Sequence, residues 1–163
     1  MIIRNAVIND LEELLYIYNY EVKNGTATLD ITEQTYEQRK EWFNAHGTSR
    51  NPLIVAEEDG KVIGYATLSP YRNKEAYSTT VELSVYVHPD HRHKGVANAL
   101  VEKIITLAKE EPTIKLIISV ITTGNIASIN LHKKFGFTFC SGIPRVAYKN
   151  GIAVGIDNYI LDV

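Results

Sequence analysis

The chain has 163 residues, 45% hydrophobic and 22% charged, a balance that suits one folded domain over residues 1–163 with a core of ordinary size. A formal net charge of −2, without any block of like charges, gives no general attraction for phosphate polymers, so no nucleic-acid partner is expected. The single cysteine, Cys140, excludes an intrachain disulfide, no run approaches the roughly 20 apolar residues of a membrane helix, and MIIRNAVINDLEEL carries charges where a signal peptide needs an apolar run; a cytoplasmic chain without membrane contact is expected.

Ile2 to Ala6 reads as a first strand. Asn9, with Glu12 three residues on, resembles a capping box and predicts a helix to about Lys23 with Leu11, Leu14, Leu15 and Tyr18 as its apolar stripe. Asn24-Gly25 stops it, and after a Thr-rich segment Thr35 and Gln38 open a second helix through Trp42 and Phe43. Leu53 to Glu57, Asp59-Gly60 and Val62 to Leu68 spell a hairpin. Thr79 to Val87 alternates, with Val81, Leu83, Val85 and Val87 on one face and Thr80, Glu82, Ser84 and Tyr86 on the other. Past Pro89, the spacing of Val96, Leu100, Ile104, Leu107 and Ala108 predicts a helix that ends at Pro112. Ile114 to Ile121 is a β-branched run suited to a buried strand, and Asn125 to Phe135 is helical by the spacing of Ala127, Leu131 and Phe135, with Gly136 as its stop. Strands around Phe137 to Val146 and Ala153 to Leu161 flank Asn150-Gly151. The order is mixed α and β, an α/β sandwich around a largely antiparallel sheet.

The richest segment is Val85-Tyr86-Val87-His88-Pro89-Asp90-His91-Arg92-His93-Lys94-Gly95-Val96-Ala97-Asn98: a strand, a basic glycine loop and a helix start. Backbone N–H groups at a helix N-terminus lack internal partners, and the helix dipole adds positive charge, so a phosphate is favoured there. Arg92 and Lys94 add cationic donors, while Gly95 and Ala97 leave room for the backbone to approach a ligand. The same residues also fit a solvated basic loop that merely caps a helix; the setting between a strand and a strongly amphipathic helix favours the phosphate.

Arg92-x-x-Gly95-x-Ala97 resembles the acetyl-coenzyme A signature of the GNAT acetyltransferase superfamily. Glu82-Leu83-Ser84-Val85-Tyr86-Val87, Asn125-x-x-Ser128-x-x-Leu131-His132-x-x-x-Gly136-Phe137 and Arg145-Val146-Ala147-Tyr148-Lys149-Asn150-Gly151 resemble its phosphinothricin and methionine sulfone (or sulfoximine) N-acetyltransferase subfamily. The resemblance implies a mixed, largely antiparallel sheet of about seven strands flanked by about four helices. It also implies acetyl-coenzyme A as cosubstrate, with no metal: pantetheine along Val85, Tyr86 and Val87, pyrophosphate over Arg92, His93, Lys94, Gly95, Val96, Ala97 and Asn98, and contacts from Asn125 and Lys134. A homodimer and a small amine acceptor of the phosphinothricin, methionine sulfoximine or methionine sulfone type are implied as well. The chain departs from the pattern at Ala97, where glycine is usual, at Tyr71, where the family has tryptophan, and around Ala153-Val154, where a Trp-His-Asp segment is missing.

Acetyl transfer to an amine needs a base, because an ammonium has no lone pair with which to attack. Glu82 is the candidate, and the competing reading is a solvent-facing strand residue. His132 stands where the family supplies a tyrosine to protonate the departing thiolate, though a lone helical histidine is often a packed residue. Arg72 and Lys74, with Tyr71 and Tyr77 as walls and Glu82 alongside, are candidates for holding the acceptor. His88, His91 and His93 lack the framing of a metal site, so none is expected, and Cys140 reads as a small strand hydrophobe rather than a nucleophile. A protein N-terminal or lysine acetyltransferase, or a non-catalytic acyl-coenzyme A-binding module, are the alternatives.

Overall fold

The computed structural model describes residues 1–163. In chain order the elements are β1 (Ile2–Asn5), α1 (Leu11–Asn24), α2 (Tyr36–Asn44), β2 (Leu53–Glu58), β3 (Lys61–Pro70), β4 (Thr80–Val87), α3 (Val96–Glu110), β5 (Leu116–Thr122), α4 (Ile126–Lys134), β6 (Thr138–Lys149) and β7 (Ile152–Asp162), with short 3-10 turns between some of them. The strands form one sheet in the order β1-β2-β3-β4-β5-β7-β6, antiparallel throughout except at β4–β5, so the largely antiparallel mixed fold expected from the sequence is present. No helix is long and apolar enough to cross a membrane.

Alternation in the strands gives the sheet two apolar faces, and each is covered. Ile54, Leu68, Val81, Leu83 and Ile117 pack on Leu100, Val101 and Ile104 of α3, while Val55 and Tyr65 pack on Leu14 and Ile17 of α1 with Trp42 alongside from α2. Burying each such side chain contributes about 1.5–3 kcal/mol, which outweighs the modest propensities of the short elements. Two tight turns hold the hairpins: Asp59-Gly60 (φ 51° and 75°) joins β2 to β3, and Asn150-Gly151 (φ 54° and 74°) joins β6 to β7. Positive φ at both central residues matches the right-handed twist of the paired strands.

Some local expectations are corrected. Asn9 does not cap α1. A 3-10 turn at Ile8–Asp10 leads in, and the Asp10 carboxylate accepts the Val7 N–H while Arg4 holds it by two hydrogen bonds of 2.8 Å. Ile17 rather than Leu15 completes the buried stripe of α1. On α4, Leu131 and Phe135 pack half-buried against the core while Ala127 is exposed, and His132 is the fully buried residue. Cys140 lies exposed on β6, because that strand is outermost in the sheet. The box at Thr35 and Gln38 forms with both hydrogen bonds.

Two buried cations shape the α1–α2 side. Arg39 is 1% exposed, with its guanidinium 3.5 Å from the Trp42 ring centre, 4.5 Å from Tyr18 and 5.2 Å from Tyr65. It donates to the Tyr65 hydroxyl at 2.6 Å and to Gln34 rather than to a carboxylate. Lys149, at the end of β6, is 2% exposed, and its ammonium donates to the Thr28 carbonyl at 2.8 Å. It gets there because the β6–β7 hairpin runs past the end of β5, whose last ladder pair is Thr122 with Ile156.

Candidate active site

The chemistry is located by a break in the sheet. β4 and β5 pair over only three positions, Thr80 with Leu116, Val81 with Ile117 and Glu82 with Ile118, and then part. Parallel strands joined through α3 have no turn to hold them in register. Backbone groups on the inner edges of Leu83–Val87 and Ser119–Thr122 are thereby left without ladder partners, and such groups need partners when covered. The gap is a cavity of about 240 Å³ lined by Glu82, Ser84, Tyr86, Ser119, Thr122, Ser128 and His132 among others, with Ala27, Thr28 and Leu29 of the α1–α2 connection as one wall. Ala27, Val85, Tyr86, Asn125 and Ser128 are shared with a larger groove, of about 660 Å³, that runs to the start of α3.

Val85, Tyr86, Val87, Arg92, His93, Gly95, Val96, Ala97, Asn98 and Asn125 all line this groove. Gly95 precedes α3 at φ 83°, and no protein atom stands within 4 Å of where a β-carbon would be. No side chain caps α3, so its first-turn N–H groups remain free for an anion. Arg92 is paired with Glu21 at 2.9 Å and lies 5.6 Å from the Tyr20 ring. The other Glu21 oxygen accepts the Ala27 N–H at 3.0 Å, which ties the phosphate loop to the wall of the smaller cavity. Lys94 and Lys134 are outside the groove lining: Lys94 turns back to the Asp90 carbonyl at 2.9 Å, and Lys134 donates to Asn98 at 2.6 Å. Asn125 caps α4, accepting the Ser128 N–H at 3.2 Å.

Glu82 projects from β4 into the smaller cavity at the point where the strands separate. It is half-buried and has no ion-pair partner, and burial raises its carboxyl above the usual carboxylate range. His132 is 3% exposed and packs edge-on against Phe137, with ring centres 5.0 Å apart. Its Nδ1 lies 2.7 Å from the Ser128 carbonyl, which can only accept, so the ring proton sits on Nδ1 and Nε2 presents a lone pair. Burial lowers its pKa below the ordinary histidine range, which keeps the ring neutral. Ser119 adds a hydroxyl that is buried without a hydrogen-bond partner in the same cavity. The unused donors and acceptors of the slot and the uncapped helix start fit a ligand with amides at one end and phosphate at the other.

Tyr71, Arg72, Lys74 and Tyr77 are not in the lining of the cavity that Glu82 enters. They occupy the β3–β4 connection, where Tyr71 and Tyr77 meet edge-on at 5.7 Å and the Arg72 guanidinium sits 5.0 and 5.7 Å from the two rings. Lys74 is exposed ahead of a 3-10 turn. Of the histidines, His88 stacks on Tyr16 at 5.2 Å and His91 faces Glu58 at 3.6 Å, while His93 is on the groove. Sequence reasoning missed the wall at Ala27–Leu29, the orphan Ser119 and the Glu21–Arg92 pair. The Thr-rich run after Gly25 was the one local signal for the first of these, and the other two depend on contacts across the fold.

The chain matches the acetyltransferase (GNAT) family over residues 11–137. It is 37% identical over 150 residues to the L-methionine sulfoximine/L-methionine sulfone acetyltransferase of Pseudomonas paraeruginosa (strain DSM 24068 / PA7), covering 91% of this chain and 87% of that one. Among solved structures, a ribosomal-protein-alanine N-acetyltransferase from Brucella melitensis superposes with a TM-score of 0.96 at 34% identity, covering 100% of both chains. A phosphinothricin acetyltransferase from Sinorhizobium meliloti in complex with acetyl-coenzyme A does so at 0.93 and 30% identity, covering 99% of this chain and 88% of that one. With a family match over most of its length, relatives above 30% identity and the strand gap of the fold in place, the chain belongs to the acetyltransferase (GNAT) family.

Proposed function

We propose that this acetyltransferase, as one catalytic domain, moves the acetyl group of acetyl-coenzyme A to the primary amine of a small amino-acid-like acceptor of the methionine sulfoximine, methionine sulfone or phosphinothricin type. The observation that carries the proposal is Glu82: an unpaired, half-buried carboxylate where the long groove opens into a small chamber. The names of the Pseudomonas relative and the Sinorhizobium structure support the acceptor class.

When bound, acetyl-coenzyme A supplies an activated thioester carbonyl. The free amides of α3 and the basic loop hold its phosphates, the unpaired β4 edge receives its pantetheine amides, and Asn125 contacts it from the start of α4. Glu82 removes a proton from the acceptor ammonium, directly or through water, and the freed lone pair attacks the thioester carbonyl in a ternary complex; the C–N bond forms, the C–S bond breaks, coenzyme A leaves as its thiolate, and the thiolate takes up the proton that the newly bonded nitrogen loses. His132 carries its proton on Nδ1 and is buried neutral, so it serves as a wall and hydrogen-bond acceptor rather than as the acid for the thiolate.

The reading extends to a cytoplasmic homodimer. Phe139, Ile143 and Tyr148 on β6 and Ile152 on β7 are between 46% and 68% exposed, more apolar surface than a free edge hairpin ordinarily shows, and a second copy would cover it. The exposed thiol of Cys140 is compatible with a reducing compartment. The ribosomal-protein-alanine name of the Brucella structure favours a second reading, acetylation of a protein N-terminus. A coenzyme A release assay with methionine sulfone, methionine sulfoximine, phosphinothricin, polyamines and N-terminal peptides separates the two. Turnover on the free amino-acid analogues is expected; turnover on peptides alone would replace the first reading by the second.

A further inference from the structure

Directly opposite Glu82, on β3, stands Ser69, its partner in the antiparallel register. Register partners have β-carbons about 4.5–5.5 Å apart and point to the same side of the sheet, here the side covered by α1 and α2. The Ser69 oxygen is 2.8 Å from His46 Nε2, and His46 Nδ1 is 2.6 Å from the Trp42 carbonyl. A carbonyl only accepts, so Nδ1 carries the proton. Burial, with the charge of Arg39 adding to it, holds the imidazole below its ordinary range, which leaves one ring proton at neutral pH. Nε2 is then an acceptor, and the hydrogen it accepts is the Ser69 hydroxyl's. Ser69, the register partner of Glu82 although not itself in the cavity lining, is thereby left with lone pairs alone to offer on the side where Glu82 stands.

We propose that Ser69 is a second recognition group for the acceptor amine, accepting one of its N–H bonds beside Glu82, and that His46 is the positioning residue that fixes the polarity of that hydroxyl. The proposal rests on the reading of Glu82 as the base at the acceptor site. A primary ammonium has three N–H bonds to give. Once Glu82 has taken one proton, the neutral amine keeps two N–H bonds and a lone pair, and a single acceptor leaves it free to spin. A second acceptor, held by β3 at a fixed spacing from the first, restricts that rotation and aims the lone pair. A hydroxyl free to turn could instead present its own hydrogen to the amine or to Glu82, opposing both binding and deprotonation. The hydrogen bond to His46, itself anchored on Trp42 beside the caged Arg39, removes that option.

The test is a comparison of Ser69→Ala, His46→Phe, His46→Gln, the Ser69→Ala/His46→Phe double variant and Glu82→Gln, using methionine sulfone as acceptor and measuring kcat, acceptor KM, acetyl-coenzyme A affinity and Tm. Ser69→Ala is expected to lower kcat/KM for the acceptor about tenfold, the loss of one hydrogen bond to a charged group, with acetyl-coenzyme A affinity unchanged. His46→Phe should fall by a similar factor and the double variant no further, since His46 acts through Ser69. His46→Gln keeps an amide oxygen that can accept from Ser69, so it is expected to stay within about threefold of wild type; it also keeps the question answerable if His46→Phe does not fold. An unchanged kcat/KM in Ser69→Ala overturns the proposal while leaving the base in place, and single losses that multiply in the double variant overturn the role of His46. Wild-type turnover in Glu82→Gln overturns the reading beneath it, whatever Ser69→Ala does.

Discussion

Replacing Glu82 by Gln removes a charge while keeping the volume of a side chain that has no ion-pair partner, so the change isolates its chemistry from its packing. General-base catalysis contributes about 10²–10⁴-fold. No other carboxylate lines the cavity, so nothing nearby takes over, and the loss in kcat is expected near the middle of that range, about 10³-fold. Acetyl-coenzyme A affinity should be unaltered, because the groove that receives it does not include Glu82. The pH profile gives an independent sign. Catalysis requires the carboxylate, and burial raises its pKa, so the acid limb of kcat/KM in the wild type should lie above the ordinary carboxylate range and disappear in the variant. Stability carries the opposite sign. A raised folded-state pKa means that the folded protein loses stability as pH rises through that value, a loss the glutamine avoids. Glu82→Gln should therefore be the more stable protein at neutral pH, with the advantage vanishing below the unfolded carboxylate range. Stopped-flow coenzyme A release at several pH values, paired with thermal unfolding, reads all three quantities. Wild-type turnover, or an acid limb that persists in the variant, would refute the assignment.

Three further outcomes follow from the same geometry. His132→Phe should leave the shape of the pH–rate profile unchanged while lowering Tm through the lost hydrogen bond to Ser128, and loss of a basic limb would restore His132 as the acid. Arg39→Ala should destabilise by about 2–4 kcal/mol in urea titrations because three aromatic rings lose their filler, whereas Arg39→Met, which fills the space without a buried charge, should cost less; equal costs would show that the charge itself matters. Tyr148→Asp, on the exposed face of β6, should shift sedimentation from dimer to monomer without lowering Tm at high dilution; unaltered sedimentation of a dimeric wild type would put the interface elsewhere.

The elements readable in the sequence were those fixed by local chemistry. Asp59-Gly60 and Asn150-Gly151 require positive φ, Thr35 and Gln38 satisfy each other's backbone, and Gly95 with the amphipathic start of α3 marks the anion site from a few neighbouring residues. Long-range contacts were not readable. Arg39 on α2 looks like a solvated charge until three rings from two helices and a strand close around it. The spacing of Ala127, Leu131 and Phe135 marked α4 as a helix, but not that Ala127 and Leu131 line the groove while His132 is buried. Tyr71, Arg72, Lys74 and Tyr77 could be grouped from their spacing, but only the fold shows that Arg72 is occupied by its neighbouring rings.

Lys149 reaches from the outermost strand to the Thr28 carbonyl, and Thr28 is part of the chamber wall beside Glu82. A change on the rim of the molecule can therefore move the inner surface that a substrate meets. Acceptor preference in such a fold can drift through neighbours of the β6–β7 hairpin while every group that handles the acetyl donor stays the same, which makes that hairpin a place to select for new specificity.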